Sequence, residues 1–155
     1  MPAKSFYVFV YGTLKRGQSN HSLLERAEYL MEATTCDKFR MFHVGFPVMM
    51  ADIKDGRPVG RVRGEVYKVN ESQLRRLDNL ESEGQMYKRL PIHVTTEQGG
   101  LLTVLAYIGV EDFWKVRGIG KTKGYGIPVL PQDGLLNWSR EAMRRLGRSA
   151  NRNLA

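Results

Sequence analysis

Two groups of residues in this sequence could carry chemistry. The first is a glutamate. Leu74, Leu77 and Glu81 are spaced i, i+3, i+7, with Asp78 at i+4. On a helix that spacing puts Glu81 on the leucine stripe, facing inward. It would also stand at the helix end, where the partial negative charge of the last carbonyls opposes ionisation. Both effects raise a carboxyl pKa toward neutrality, which suits a group that accepts a proton and returns it. A helix ending before Glu81 would instead release the side chain to solvent. Asp78 reads as a structural partner for backbone or for an arginine.

The second group is a backbone feature. Phe6 to Tyr11 is apolar on both faces and built from β-branched and aromatic residues, the pattern of a central strand. It stops at Gly12, and a polar, glycine-containing loop runs on to His21. A rigid strand feeding such a loop can aim several N–H groups at one point, enough to hold a carboxylate or a developing oxyanion. The same residues also describe an ordinary strand-to-helix turn. No other chemistry has its ligands in place. One cysteine, Cys36, and three scattered histidines offer neither a metal-ligand spacing nor an internal disulfide. Cys36 reads as a small buried residue and His21 as a structural one. Gly120-Lys121-Thr122 ends like a phosphate-binding loop, but the first glycine of that motif would fall at Lys115, which excludes a nucleotide site.

The elements that must position these groups follow from periodicity and turn signals. Asn20 can cap a short helix with Leu23, Leu24, Ala27 and Leu30 as its stripe. Ala33 to His43 reads as a strand, broken by Gly45-Phe46-Pro47, with another extended piece from Val48. Lys54-Asp55-Gly56-Arg57 carries the signal of a tight hairpin. Val59 to Val69 alternates, and Gly64 inside it implies a close approach to the backbone. Asn70 to Gln73 has the form of a capping box, opening a helix that reaches about Glu81, with Gly84 as its terminator. Tyr87 to Thr95 is a strand whose Pro91 marks an edge or bulge. Glu97 to Gly100 is a turn, Leu101 to Ile108 a second strongly apolar strand, and Asp112 to Val116 a helical turn. Arg117 to Gly126 is a loop, and a last helix starts at Asp133 or Gly134. Strands outnumber helices without alternating with them, which describes a mixed sheet, open or curled into a barrel, with helices outside.

The 155 residues, 42% apolar and 26% charged, predict one globular domain, residues 1–155. Met1 to Ser5 are expected to be mobile. No apolar run reaches membrane-spanning length, no secretory signal is recognisable, and the lone cysteine fits the cytoplasm. The net charge of +8 owes much to Arg140, Arg144, Arg145, Arg148 and Arg152. Without interleaved aromatic residues after Trp138, these arginines read as a solvated face rather than a nucleic-acid site, although a basic tail leaves nucleic acid open.

The ordered set Tyr11-Gly12-Thr13-Leu14-Lys15-Arg16-Gly17-Gln18-Ser19-Asn20-His21, Phe46-Pro47, Gly64-Glu65-Val66-Tyr67, and Leu77-Asp78-Asn79-Leu80-Glu81-Ser82 with Tyr87-Lys88-Arg89 resembles the γ-glutamyl cyclotransferase-like superfamily. Within it the chain most resembles the γ-glutamylamine cyclotransferase branch, over about the first 110 residues. The resemblance implies an α+β fold: a mixed, mainly antiparallel small β-barrel with flanking helices. It implies a cofactor-independent enzyme, a monomer or weak dimer, that cyclises a small γ-glutamyl amine to 5-oxoproline and a free amine. By position, Glu81 matches the family's acid/base glutamate. Tyr11, Gly12, Thr13 and Leu14 match its substrate loop, and Tyr87 a tyrosine lining the pocket. Residues 114–155 have no counterpart in the pattern. They read as a C-terminal extension, either a surface element or a cover that brings Lys121, Lys123 and Tyr125 to the substrate. A non-catalytic module that binds a small carboxylate or docks a partner is the alternative on the same fold.

Overall fold

The structure, a computed structural model, describes residues 4–120 and 126–145. The expectations for Met1 to Ala3, for Lys121, Lys123 and Tyr125, and for Arg148 and Arg152 lie outside the described residues.

Among the described residues, eight strands and two helices precede a last helical segment that begins at residue 140: β1 (Ser5–Val10), β2 (Glu28–His43), β3 (Pro47–Ala51), β4 (Gly60–Asn70), α1 (Glu71–Leu80), β5 (Tyr87–Thr96), β6 (Leu101–Gly109), α2 (Glu111–Val116), β7 (Ile127–Pro128) and β8 (Leu135–Leu136). β1 lies between β4, antiparallel to it, and β6, parallel to it. β6 pairs with β5, β5 with β2, and β2 with β4, all antiparallel. These five strands therefore close into a mixed barrel. β3 and β7 extend it along β2, and β8 runs parallel to β4. The opening strand is central, as its apolar run predicts, although only Val8, Phe9 and Val10 are buried and Tyr7 is exposed.

Successive residues of β1 feed two cores. Val8 and Val10 pack with Leu74 and Leu77 of α1 and with Trp114 of α2. Phe9 and Tyr11 pack with Val62, Val66, Val104 and Trp138 on the opposite face, which closure of the sheet turns inward. Gly64 is where the sheet has no room: a Cβ there would lie 2.4 Å from the Val10 carbonyl and 2.7 Å from the Phe9 ring. Gly64→Ala is expected to cost about 1–3 kcal/mol by overpacking, read as a lower denaturation midpoint at an unchanged slope. An unchanged midpoint would show that the barrel has slack at this point.

α1 opens with the predicted capping box. Gln73 N–H donates to Asn70 Oδ1 at 2.8 Å, and Asn70 N–H donates to Gln73 Oε1 at 2.7 Å. Pro91 pairs only with Leu105 of β6, because β5 reaches β2 only through Val94, Thr95 and Thr96. Its missing N–H thus falls on a locally free edge.

Three expectations are corrected. The helix capped by Asn20 is only a 3-10 turn, His21–Leu24, without a side-chain cap bond, and β2 begins at Glu28. Pairing of Tyr29 with Tyr67 and of Ala33 with Gly64 claims these residues for the barrel, overriding the local helical stripe. Residues 54–56 form a bend, with Lys54 and Gly56 at positive φ, but not a tight hairpin. The strands on either side, β3 and β4, both pair with β2 and not with each other. No helix starts at Asp133. Asp133 and Gly134 both take positive φ and turn the chain into β8, which docks on Arg61 and Val62 of β4. Helix resumes at residue 140.

Candidate active site

β1, β5 and β6 bring Tyr11, Tyr87 and Tyr107 to the same end of the barrel, where a cavity of about 280 Å³ opens. All the site residues named from the sequence line it: Glu81, Tyr87 and the run Tyr11, Gly12, Thr13, Leu14. Segments some 70 residues apart along the chain therefore share one hollow.

Glu81 is the C-cap of α1, with its backbone N–H bonded to the Leu77 carbonyl at 3.0 Å. The helix ends one residue early, yet Leu74 and Leu77 are buried and the glutamate stays on their side. Ser82 then takes positive φ and turns the chain away. Burial pushes the Glu81 carboxyl up to about 7, with no offsetting charge or hydrogen bond from the described residues. Asp78, on the same helix, has the opposite fate. It pairs with Arg89 and accepts the Tyr107 hydroxyl at 2.7 Å. One acid is committed to structure and the other is left to seek a partner.

The tyrosines are mostly occupied. The Tyr11 hydroxyl donates to the Tyr107 carbonyl at 2.6 Å and accepts the Met49 N–H at 3.3 Å. The Tyr87 hydroxyl donates to the Pro47 carbonyl at 3.0 Å. Burial, with the charge of Glu81 adding to it, holds both phenols far above their ordinary range. Tyr11 and Tyr87 thus give the cavity rings and backbone rather than free hydroxyls.

The loop after β1 is held from outside. Lys15 N–H bonds the Gly12 carbonyl at 3.0 Å and Asn20 N–H the Thr13 carbonyl at 2.8 Å. The Asn20 amide donates to Thr13 Oγ1 at 3.0 Å, and His21 Nδ1 sits 3.0 Å from the Leu14 carbonyl. His21 is thereby structural, as expected. Buried Glu65 accepts the Arg16 N–H at 2.9 Å, the Arg16 Nε–H at 3.2 Å and the Tyr67 hydroxyl at 3.1 Å. Among the described residues, the N–H groups of Gly12, Thr13 and Leu14 make no backbone hydrogen bond. A row of fixed donors is therefore left beside the cavity.

Sequence reasoning missed what the C-terminal segment contributes. Trp138 is fully buried, with its Nε1–H donating to His43 Nδ1 at 3.1 Å. Lys15 Nζ donates to the Trp138 carbonyl, and Arg140 N–H donates to Gln18 Oε1 at 3.3 Å. Arg140 itself lines the cavity, which corrects its assignment to a solvated basic face. The usable signal was a tryptophan two positions before it, since so large an apolar residue in a basic stretch marks an anchor. Phe46 and Pro47 supply the facing wall. Among the described residues no group of His, Cys, Asp or Glu is placed to hold a metal ion, and no helix is long and apolar enough to cross a membrane.

Comparison with known proteins follows the same lines. A family model described as "Gamma-glutamyl cyclotransferase, AIG2-like" matches residues 8–121. Over 98 residues the chain is 41% identical to the gamma-glutamylaminecyclotransferase of Bos taurus, covering 58% of this chain and 56% of that protein. It is 38% identical to the Homo sapiens gamma-glutamylaminecyclotransferase over 95 residues, covering 56% of this chain and 60% of that one. The matches thus span less than two thirds of those relatives. The crystal structure of an AIG2-like protein from Mus musculus superposes with a TM-score of 0.61 at 26% identity, covering 88% of this chain and 97% of that one. The span matched by the family model contains Gly12, Glu81 and Tyr87 and stops short of Trp138 and Arg140.

Proposed function

The chain belongs to the gamma-glutamyl cyclotransferase, AIG2-like family, and on that footing we propose that it cyclises a small γ-glutamyl amine to 5-oxoproline, with Glu81 moving the protons. The observation that carries this reading is a carboxyl of raised pKa sharing a small cavity with the free N–H groups of residues 12–14.

The substrate's α-amine attacks its own γ-carbonyl carbon, forming the ring C–N bond and putting negative charge on the carbonyl oxygen. The N–H groups of the Gly12–Leu14 loop take that oxygen, and because the loop is held from outside they need no rearrangement to do so. The Glu81 carboxylate removes the proton from the attacking nitrogen. As the intermediate collapses, the bond to the departing nitrogen breaks and Glu81 returns the proton to it. No water is consumed, and the carboxylate is regenerated. Because the attack is intramolecular, the cavity's main task is to hold the glutamyl chain bent, and its apolar walls restrict that chain. Tyr87 and Phe46 line those walls.

The direct test is incubation of the purified protein with γ-glutamyl alkylamines and detection of 5-oxoproline with an equimolar amine. A folded protein inert on a broad panel would overturn the reading. Glu81 must be ionised in the free enzyme to act as the base. With its pKa near 7, kcat/KM is expected to fall tenfold per pH unit on the acid side of about pH 7. An acid limb centred near the ordinary carboxylate range would assign the proton transfer to another group.

A further inference from the structure

Among the described residues, two charged side chains line the cavity, Glu81 and Arg140. The mechanism above uses only the first. Arg140 reaches the cavity because the segment before it is locked down: Leu136 and Trp138 are completely buried, and β8 is paired to β4. Its guanidinium lies 5.7 Å from the centre of the Trp138 ring and donates one hydrogen bond, at 2.7 Å, to the Gly45 carbonyl. Among the described residues no carboxylate forms an ion pair with it. A guanidinium has five N–H donors, and the bond to Gly45 uses one of them, at the wall of a hollow whose one other charged lining residue among the described residues is Glu81.

We propose that Arg140 is the carboxylate receptor of this cavity. Its guanidinium binds a substrate carboxylate, either the α-carboxylate of the γ-glutamyl group or one carried on the departing amine. The proposal rests on the γ-glutamyl reading of the site. A γ-glutamyl amine brings an amino group and a carboxylate on one α-carbon, and the cavity offers one acid and one base. Seating that carboxylate among Phe9, Phe46, Pro47 and Met86 without a partner would be costly. The planar fork of an arginine answers it with two parallel hydrogen bonds. The loop N–H groups, engaged with the γ-carbonyl oxygen, then need not serve the carboxylate as well.

The test compares wild type with Arg140→Gln on three ligands: γ-glutamyl-propylamine, its α-carboxamide analogue, and γ-glutamyl-β-alanine, which adds a carboxylate to the departing side. Dissociation constants are measured by calorimetry in a Glu81→Gln background, and kcat/KM with Glu81 present. If the α-carboxylate is the ligand, Arg140→Gln weakens binding of the propylamine derivative roughly 10- to 100-fold and leaves the carboxamide analogue unchanged. If the departing side supplies it, only the β-alanine derivative suffers. Arg140→Lys keeps the charge and is expected to retain part of the affinity. An equal loss on all three ligands would mean that Arg140 merely braces the wall through Gly45, and no loss on any would mean that it faces solvent. Either result overturns the proposal. Ligands that bind with the expected Arg140 dependence but release no 5-oxoproline would sink the cyclotransferase reading and leave the carboxylate site standing.

Discussion

Glu81→Gln is expected to lower the rate of 5-oxoproline release by about 10²–10⁴-fold while making the protein more stable. Glutamine keeps the size and polarity of the side chain and removes only the proton transfer. The gain in stability follows from the raised pKa. Below about pH 4.5, the ordinary value, Glu81 is protonated both folded and unfolded and the charge plays no part. Between there and about 7, the unfolded chain ionises while the folded one holds its proton, so stability drains away as pH rises. Above about 7 the full penalty of a buried charge is present, about 3 kcal/mol for such a gap. Urea denaturation at pH 8 should therefore show the variant more stable than wild type, and the difference should vanish near pH 4. An equally active variant would mean that the carboxyl is not the proton carrier, and one less stable at pH 8 would mean that its burial carries no such penalty.

Gly12→Ala is expected to reduce kcat/KM about 100-fold, the scale of loss from displacing a positioning element by an ångström. The backbone of Gly12 is not at positive φ, so the reason is contact rather than conformational freedom. A Cβ there would lie 2.4 Å from Pro47 Cγ and 2.9 Å from Cδ. The proline ring cannot swing aside as a flexible side chain would. Either the Phe46-Pro47 wall retreats, or the loop carrying the Thr13 and Leu14 N–H groups moves off its line. Overpacking of this kind also costs about 1–3 kcal/mol, so the assay belongs at a temperature where both proteins are folded. Retained activity in the alanine variant would show that these two walls need not touch for turnover.

Much of this site was readable because it depends on local signals that long-range pairing reinforces. The Asn70-to-Gln73 capping box sets the helix phase, and the phase puts Glu81 beside Leu77. The Phe6-to-Tyr11 run and the break at Gly12 announce a buried strand and the loop it feeds. Gly64 betrays a close contact before any neighbour is known. The failures share a physical cause. Residues 21–30 carry a helical stripe, but from Glu28 onward partners on β4 decide the state of the chain, and nothing local encodes those partners. Leu135 and Leu136 look like the start of a helix until Asp133 and Gly134 turn them onto β4. Arg140 sits in a basic run, and the burial of Trp138 beside it separates it from the exposed Arg144 and Arg145. Its place in the cavity wall depends on a docking that spans almost the whole chain.

That docking separates two tasks along the polypeptide. Glu81 and the Gly12–Leu14 amide row lie in the span common to the family, whereas the basic side of the cavity arrives from beyond it, fastened by Trp138, Lys15 and Gly45. On the proposed reading, substitutions in the Trp138–Arg140 segment are therefore expected to retune which molecules are admitted while Glu81 and the Gly12–Leu14 loop stay untouched. Diversification of such a scaffold has an inexpensive route: edit the gatekeeper, spare the engine.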